Sequence, residues 1–356
     1  MIFCIADDVI DSIIKCEESF PEEKLTRQLT AIVNSDFNIL TVESNLIIET
    51  IKEIIKSTVV NEFVKKVFLK CHKDFSQIFD ITKKVTTRII ITLSENSIDY
   101  GSIRLSLDYL EKNNISIGNA INLMSEDVSD CKFYDDLARV MNNEISEGVE
   151  VKFRYTSGAG QVLSKNLNTA LQQNGDIVFV VCDSDKKFPH AVYGDTAKYL
   201  EQKQRELTSK GIFHFATHIL EVHEKENLLI PKEYNKLLKP QHIELFLKIE
   251  RSSEFFDYLI FYDYKVGVTK KVMLRDDGAQ YFEKLFLEFP ELRNGKDLDT
   301  LTEKESISHS LGRKCLDNFD VNCLEKEPKT KIEQYRKALS LIIWSWGISL
   351  GRQLVM

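Results

Sequence analysis

The chain has 356 residues, 43% of them hydrophobic and 29% charged, with a formal net charge of −8. This composition excludes a disordered or fibrous chain, and the length gives room for two or three units that each bury a core. The negative total excludes a uniformly basic nucleic-acid-binding surface, so any basic stripe is local.

Glycine (14) and proline (6) are scarce, which predicts long helices joined by short loops. The seven cysteines, Cys4, Cys16, Cys71, Cys131, Cys182, Cys315 and Cys323, form no C-x-x-C pair. An odd number at irregular spacing indicates neither a disulfide framework nor a zinc cluster, and reduced thiols in the cytoplasm are the simple expectation. The start, MIFCIADDVIDSII, is interrupted by Asp7 and Asp8 and lacks a basic n-region. No apolar run approaches the roughly 20 residues that span a bilayer. The sequence therefore predicts neither secretion nor membrane insertion.

Residues 1–86 are predicted to be mainly helical. LIIETIKEIIK and VVNEFVKKVFLKCHKDF place apolar residues at three- and four-residue spacing, and FNILTV reads as a short strand. The pattern changes at residue 87. TTRIIITLSEN is β-branched and ends in polar residues, as a buried parallel strand does. IRLSLDYLEKN and FYDDLARVMNNEI read as helices, VEVKFRYTSGAGQ as a strand entering a glycine loop, and GDIVFVVCDSD as the clearest strand of all. A helix over GDTAKYLEQKQRELTSKG stops at its glycine. FHFATHILEV is a further strand, and ENLLIPKEYNKLL a helix. Alternating strands and helices over 87–240 predict an α/β domain built on one parallel sheet flanked by helices. Residues 241–356 are predicted to be mainly helical, ending in a helix over KIEQYRKALSLIIWSWGISLGRQL, with the charged stretch 290–330 as a loose connection.

Ligands of parallel α/β sheets bind beyond the carboxyl ends of the strands. Three predicted strands end abruptly in carboxylates: Glu95 after RIIITLS, Asp183 and Asp185 after IVFVVC, Glu224 and Glu226 after THILEVH. Any one of these is explained by capping of the following helix. All three together, with the D-x-D, favour a site for Mg²⁺ or Mn²⁺. A hard ion prefers oxygen ligands and can orient a water against a phosphate. The two aspartates of an extended D-x-D would share one side of the backbone.

The order strand–Glu, glycine loop, strand–D-x-D, strand–acidic–helix resembles the Toprim fold of topoisomerases, primases, OLD nucleases and several phage-defence effectors. The matching residues are Glu95 in LSEN, Gly158 and Gly160 in SGAGQ, Asp183 and Asp185 in VCDSD, and Glu224 and Glu226 in HEKENLLIP. The resemblance covers about 150 residues and departs at Asn96, where many Toprim proteins carry glycine. It implies a Mg²⁺-dependent endonuclease that cuts DNA or RNA and serves as an antiphage defence effector. Glu95 would be general base or metal-linked carboxylate, Asp183 and Asp185 metal ligands, and Glu224 or Glu226 a further ligand. SGAGQVLSK lacks the G-x-x-x-x-G-K-[ST] spacing of a phosphate loop, so an accompanying ATPase or sensor would be a separate subunit. The helical ends leave room for a homo-oligomer.

Lys186, Lys187 and His190 follow the D-x-D and are candidates for phosphate contact, which a solvated loop explains equally simply; around DYKVGVTKK, with Lys265, Lys270, Lys271 and Arg275, a surface hairpin is slightly favoured over a loop touching nucleic acid. His214, His218 and His223 lie near the acidic residues, where packing outweighs a zinc role. One of Trp344 and Trp346 is expected in the core, leaving the other free to stack on a base. Two further functions use the same carboxylates or none of their chemistry: a phosphatase or nucleotidyl transferase on small nucleotides, and a non-catalytic module binding nucleic acid or protein.

Overall fold

The computed structural model describes residues 1–99, 101–145, 148–158, 160–237, 240–316 and 319–350. Among these residues the fold is α/β, with thirteen α-helices and mostly parallel strands, and no helix is long and apolar enough to cross a membrane. The chain divides into two compact units. One comprises Met1–Val180, Gln202–Thr217 and Leu339–Met356; the other comprises Val181–Glu201 and His218–Ala338.

The first unit opens with β1 (Ile2–Ile5), whose four residues are all buried. It pairs in parallel with β2 (Ile39–Val42) on one side and β3 (Arg88–Thr92) on the other, through Cys4↔Thr41 and Cys4↔Ile90. The antiparallel pair β4 (Ser97–Asp99) and β5 (Ser102–Ser106) completes a five-stranded sheet of order β2-β1-β3-β5-β4. A second sheet contains β6 (Asn122–Ser125), β8 (Arg154–Ser157), β9 (Val178–Cys182) and β10 (Phe215–Ile219) in the order β10-β9-β6-β8. β7 (Glu150–Val151) pairs with β11 (Ile348–Ser349).

Residues 1–86 contain four helices, as their periodicity leads one to expect, and also β1 and β2. Both strands join the sheet of β3, so this sheet runs across residue 87. Helix Glu62–Thr82 starts where Asn61 Oδ1 accepts the Val64 amide at 3.0 Å, a cap that contributes about 1 kcal/mol. The stretch IRLSLDYLEKN, expected as helix throughout, is strand up to Ser106 and helix over Leu107–Lys112, because its first residues pair with β3.

The single parallel sheet expected over 87–240 is not formed. β3 and β5 lie in one sheet and β6, β8, β9 and β10 in the other. The reason is pairing: both edges of β3 are taken, by β1 and β5. No edge of β3 remains for β9.

Both tryptophans are fully buried. Trp346 stacks on Phe179 with centroids 5.1 Å apart, and the Trp344 ring nitrogen donates to Asn142 Oδ1 at 2.9 Å. Neither has a face free for a base. The last helix ends at Gly347, and Ile348–Ser349 are strand; residues 351–354 of the expected helix lie outside the described residues.

The second unit packs helices Pro231–Leu237, Ile243–Arg251 and Asp276–Glu288 around an aromatic core. Phe246 meets Tyr262 and Tyr264 edge-on at 5.1 and 5.7 Å, within the favourable range for aromatic pairs. The stretch 290–330 is no loose connection. It buries Leu292, Ile307, Leu311, Cys315 and Cys323, and Ser308 Oγ accepts from the Tyr262 hydroxyl at 2.6 Å.

Candidate metal centre

The second unit gathers most of the acidic residues that the sequence singled out. β9 is a run of five buried residues, VFVVC, and Asp183 follows it immediately. Asp183 Oδ1 accepts the Lys225 amide at 3.0 Å. Ser184 is fully buried and donates to the Val222 carbonyl at 2.6 Å, while the Asp185 amide donates to the His223 carbonyl at 2.9 Å. The D-x-D segment is thereby stapled to the segment carrying the E-x-E.

Asp185 departs from the expected extended geometry. Its φ is +54°, in the left-handed region, which costs a non-glycine residue roughly 1–2 kcal/mol. The backbone leaves extension because the Asp185 amide turns to the His223 carbonyl. Gly194 makes room for the result: a Cβ there would lie 2.2 Å from Asp185 Oδ2.

Asp185, His223 and Glu224 each offer a ligand atom within 4.8 Å of the others. Glu224 and Glu226 are 9% and 5% exposed. Their Oε2 atoms face the Lys265 ammonium at 2.7 and 3.5 Å, and among the described residues they have no other hydrogen-bond partner. Lys187 Nζ lies 3.1 Å from Asp263 Oδ2 and 2.9 Å from His223 Nε2. Asn227 ties the parts together. Its side-chain oxygen accepts the Glu224 amide, and its amide nitrogen donates to the Leu259 and Tyr262 carbonyls at 2.7 and 2.8 Å.

The electrostatics are those of charges removed from water. Burial, then the neighbouring Glu224 charge, raises Asp185 above the usual carboxylate range. Burial likewise raises Glu226, against the opposing pull of Lys265. Burial would raise Asp263 too, but the His223 contact and the Lys187 charge outweigh it and hold its carboxyl well below the usual range. Burial would lower Lys265; the charges of Glu224 and Glu226 win and raise it.

The remaining sequence candidates fall elsewhere. Glu95 follows β3 in the first unit, where it is exposed and helps line a cavity of about 820 Å³ with Ser12, Glu17, Lys24 and Asp108. The shared sheet edge expected for Glu95, Asp183 and Glu226 does not exist, because β3 and β9 belong to different sheets. Asp8 braces the end of β3, its Oδ2 accepting from the Thr92 hydroxyl and the Leu93 and Ser94 amides. Lys186 lies over the Tyr193 ring, Lys270 donates to the Leu301 carbonyl, and Lys271 is exposed. Lys187 and Lys265 turn toward carboxylates instead of presenting themselves to a phosphate backbone. His214 is bonded to the Tyr109 hydroxyl and His218 to the Tyr335 hydroxyl, as packing roles require.

Two positions were not singled out for these roles. His223 and Asp263 enter the cluster through tertiary contacts, and only the place of a histidine directly before the E-x-E hinted at the first.

Comparison of the chain with protein-family models, with curated proteins and with solved structures gives no match.

Proposed function

We propose that the second unit's acidic cluster binds Mg²⁺ or Mn²⁺ and that the chain is a metal-dependent nuclease of Toprim-like organisation, cutting phosphodiester bonds of DNA or RNA as a defence effector. The observation that carries this reading is the convergence of Asp185, His223 and Glu224, which each offer a ligand atom within 4.8 Å of the others, beside the buried Glu226. Buried carboxylates are ordinarily hydrogen-bonded, paired or metal-bound. The donor set fits such an ion: the carboxylate oxygens of Asp185, Glu224 and Glu226 suit Mg²⁺ or Mn²⁺.

Asp183, Asp185, Glu224 and Glu226 would hold the ion, with His223 beside them. A bound divalent ion supplies a water of lowered pKa and charge to offset a phosphate in displacement. Asp263 holds Lys187 and His223 in place, and Asn227 fixes the E-x-E backbone. The chain order also supports the resemblance: β8 with Gly158, β9 with the D-x-D and β10 with the E-x-E after it follow one another.

A second reading, a non-catalytic binding module, draws on the two lysines that already balance part of the acidic charge. Incubation with Mg²⁺ or Mn²⁺ and plasmid, single-stranded DNA and tRNA separates the two. The nuclease reading expects cleavage of at least one substrate, lost with chelator and in Asp185→Asn. Ion binding with no cleavage of any of them favours the module.

A further inference from the structure

Lys265 is fixed at its backbone, and its tip is held by two carboxylates. Asp263 Oδ1 accepts the backbone amides of Lys265 and Val266 at 3.0 and 2.8 Å, which locks the turn from which the side chain springs. The side chain itself is 30% exposed and runs from solvent to the carboxylates of Glu224 (12% side-chain exposure) and Glu226 (6%). Its ammonium lies 2.7 Å from Glu224 Oε2 and 3.5 Å from Glu226 Oε2. Lys187 differs, being held by Asp263 and His223 together.

We propose that the Lys265 ammonium is the resident counter-cation of the metal centre, occupying the carboxylate oxygens of Glu224 and Glu226 until a divalent ion displaces it. The inference rests on the metal reading above and adds a competition to it. Two buried carboxylates close together repel each other, and a cation between them relieves this. Lysine suits the task because its charge is compact and its stem flexible, so it can leave without disturbing the backbone that Asp263 holds. The stem is long enough to keep the released ammonium in water. The consequence is a centre that keeps its shape without metal and binds the ion more weakly than its bare carboxylates would.

The test is Lys265→Met, which keeps the apolar stem and removes the charge. Calorimetric titration with Mn²⁺ should give at least a tenfold tighter ion in the variant than in the wild type. The metal-free variant should melt several degrees lower, and saturating Mn²⁺ should remove that deficit. Unchanged or weaker Mn²⁺ binding in the variant, with the wild type binding normally, overturns the exchange and leaves the metal reading standing. Absence of Mn²⁺ binding in both proteins overturns both. A wild-type measurement guards against a variant that fails to fold: amine acetylation followed by mass spectrometry should label Lys265 several-fold faster once Mn²⁺ is saturating. Equal labelling of Lys265 with and without Mn²⁺ rules the displacement out.

Discussion

A Cβ placed on Gly194 would stand 2.2 Å from Oδ2 of Asp185. The glycine is needed here for space, since the carboxyl of a left-handed aspartate occupies the volume that any side chain at 194 would take. Gly194→Ala should therefore push Asp185 out of position and weaken Mn²⁺ binding by about tenfold or more, with a small effect on melting. Calorimetric titration beside thermal melting checks this. Normal ion affinity in the variant would mean that Asp185 contributes nothing to the centre.

His214 gives the first unit a pH dependence. Burial lowers its pKa from 6.5 to about 4. Its Nδ1 faces the Tyr109 hydroxyl at 2.7 Å, an arrangement for a neutral ring. Between pH 6.5 and 4 the unfolded chain takes up a proton that the folded chain refuses, so stability falls as the pH drops through this window. From about pH 7 to 5 the loss should be about 2 kcal/mol. Both tryptophans belong to the first unit, so denaturant unfolding followed by tryptophan fluorescence reads it selectively. His214→Gln should flatten the dependence; an equally steep one in the variant would assign it to other groups.

In the second unit, Arg336 bonds both oxygens of Glu233 at 2.6 and 2.7 Å, and the two residues are 5% and 0% exposed. Arg336→Met leaves a buried carboxylate without its partner and should cost about 3–5 kcal/mol. Scanning calorimetry would show it as a lowered transition, and a change under about 1 kcal/mol would contradict the account.

What the sequence made legible follows from where each signal resides. β9 and its D-x-D stood out because VFVVC is buried throughout and ends abruptly in Asp183. The E-x-E stood out by its own charge rather than by its strand, since β10 ends at Ile219 and is mostly half-buried. β1 was hidden because IFCI runs with a one-residue break into the helix Asp7–Ile14, so the two together look like one amphipathic segment. β6 was hidden by its four residues. Glu95 carries the same local pattern as Asp183, and only the pairing of β3 with β1 and β5 distinguishes them, which no local pattern encodes. Lys265 read as a surface cation because its partners, Glu224 and Glu226, are remote along the chain.

The most direct test of the central claim is a calorimetric titration of the full chain with Mn²⁺, run beside Asp185→Asn and Glu224→Gln. The account predicts saturable binding by the wild type and a loss of about tenfold or more in affinity in each variant, with folding intact by circular dichroism. Saturable binding that is equal in all three proteins, or no binding by the wild type, would contradict it.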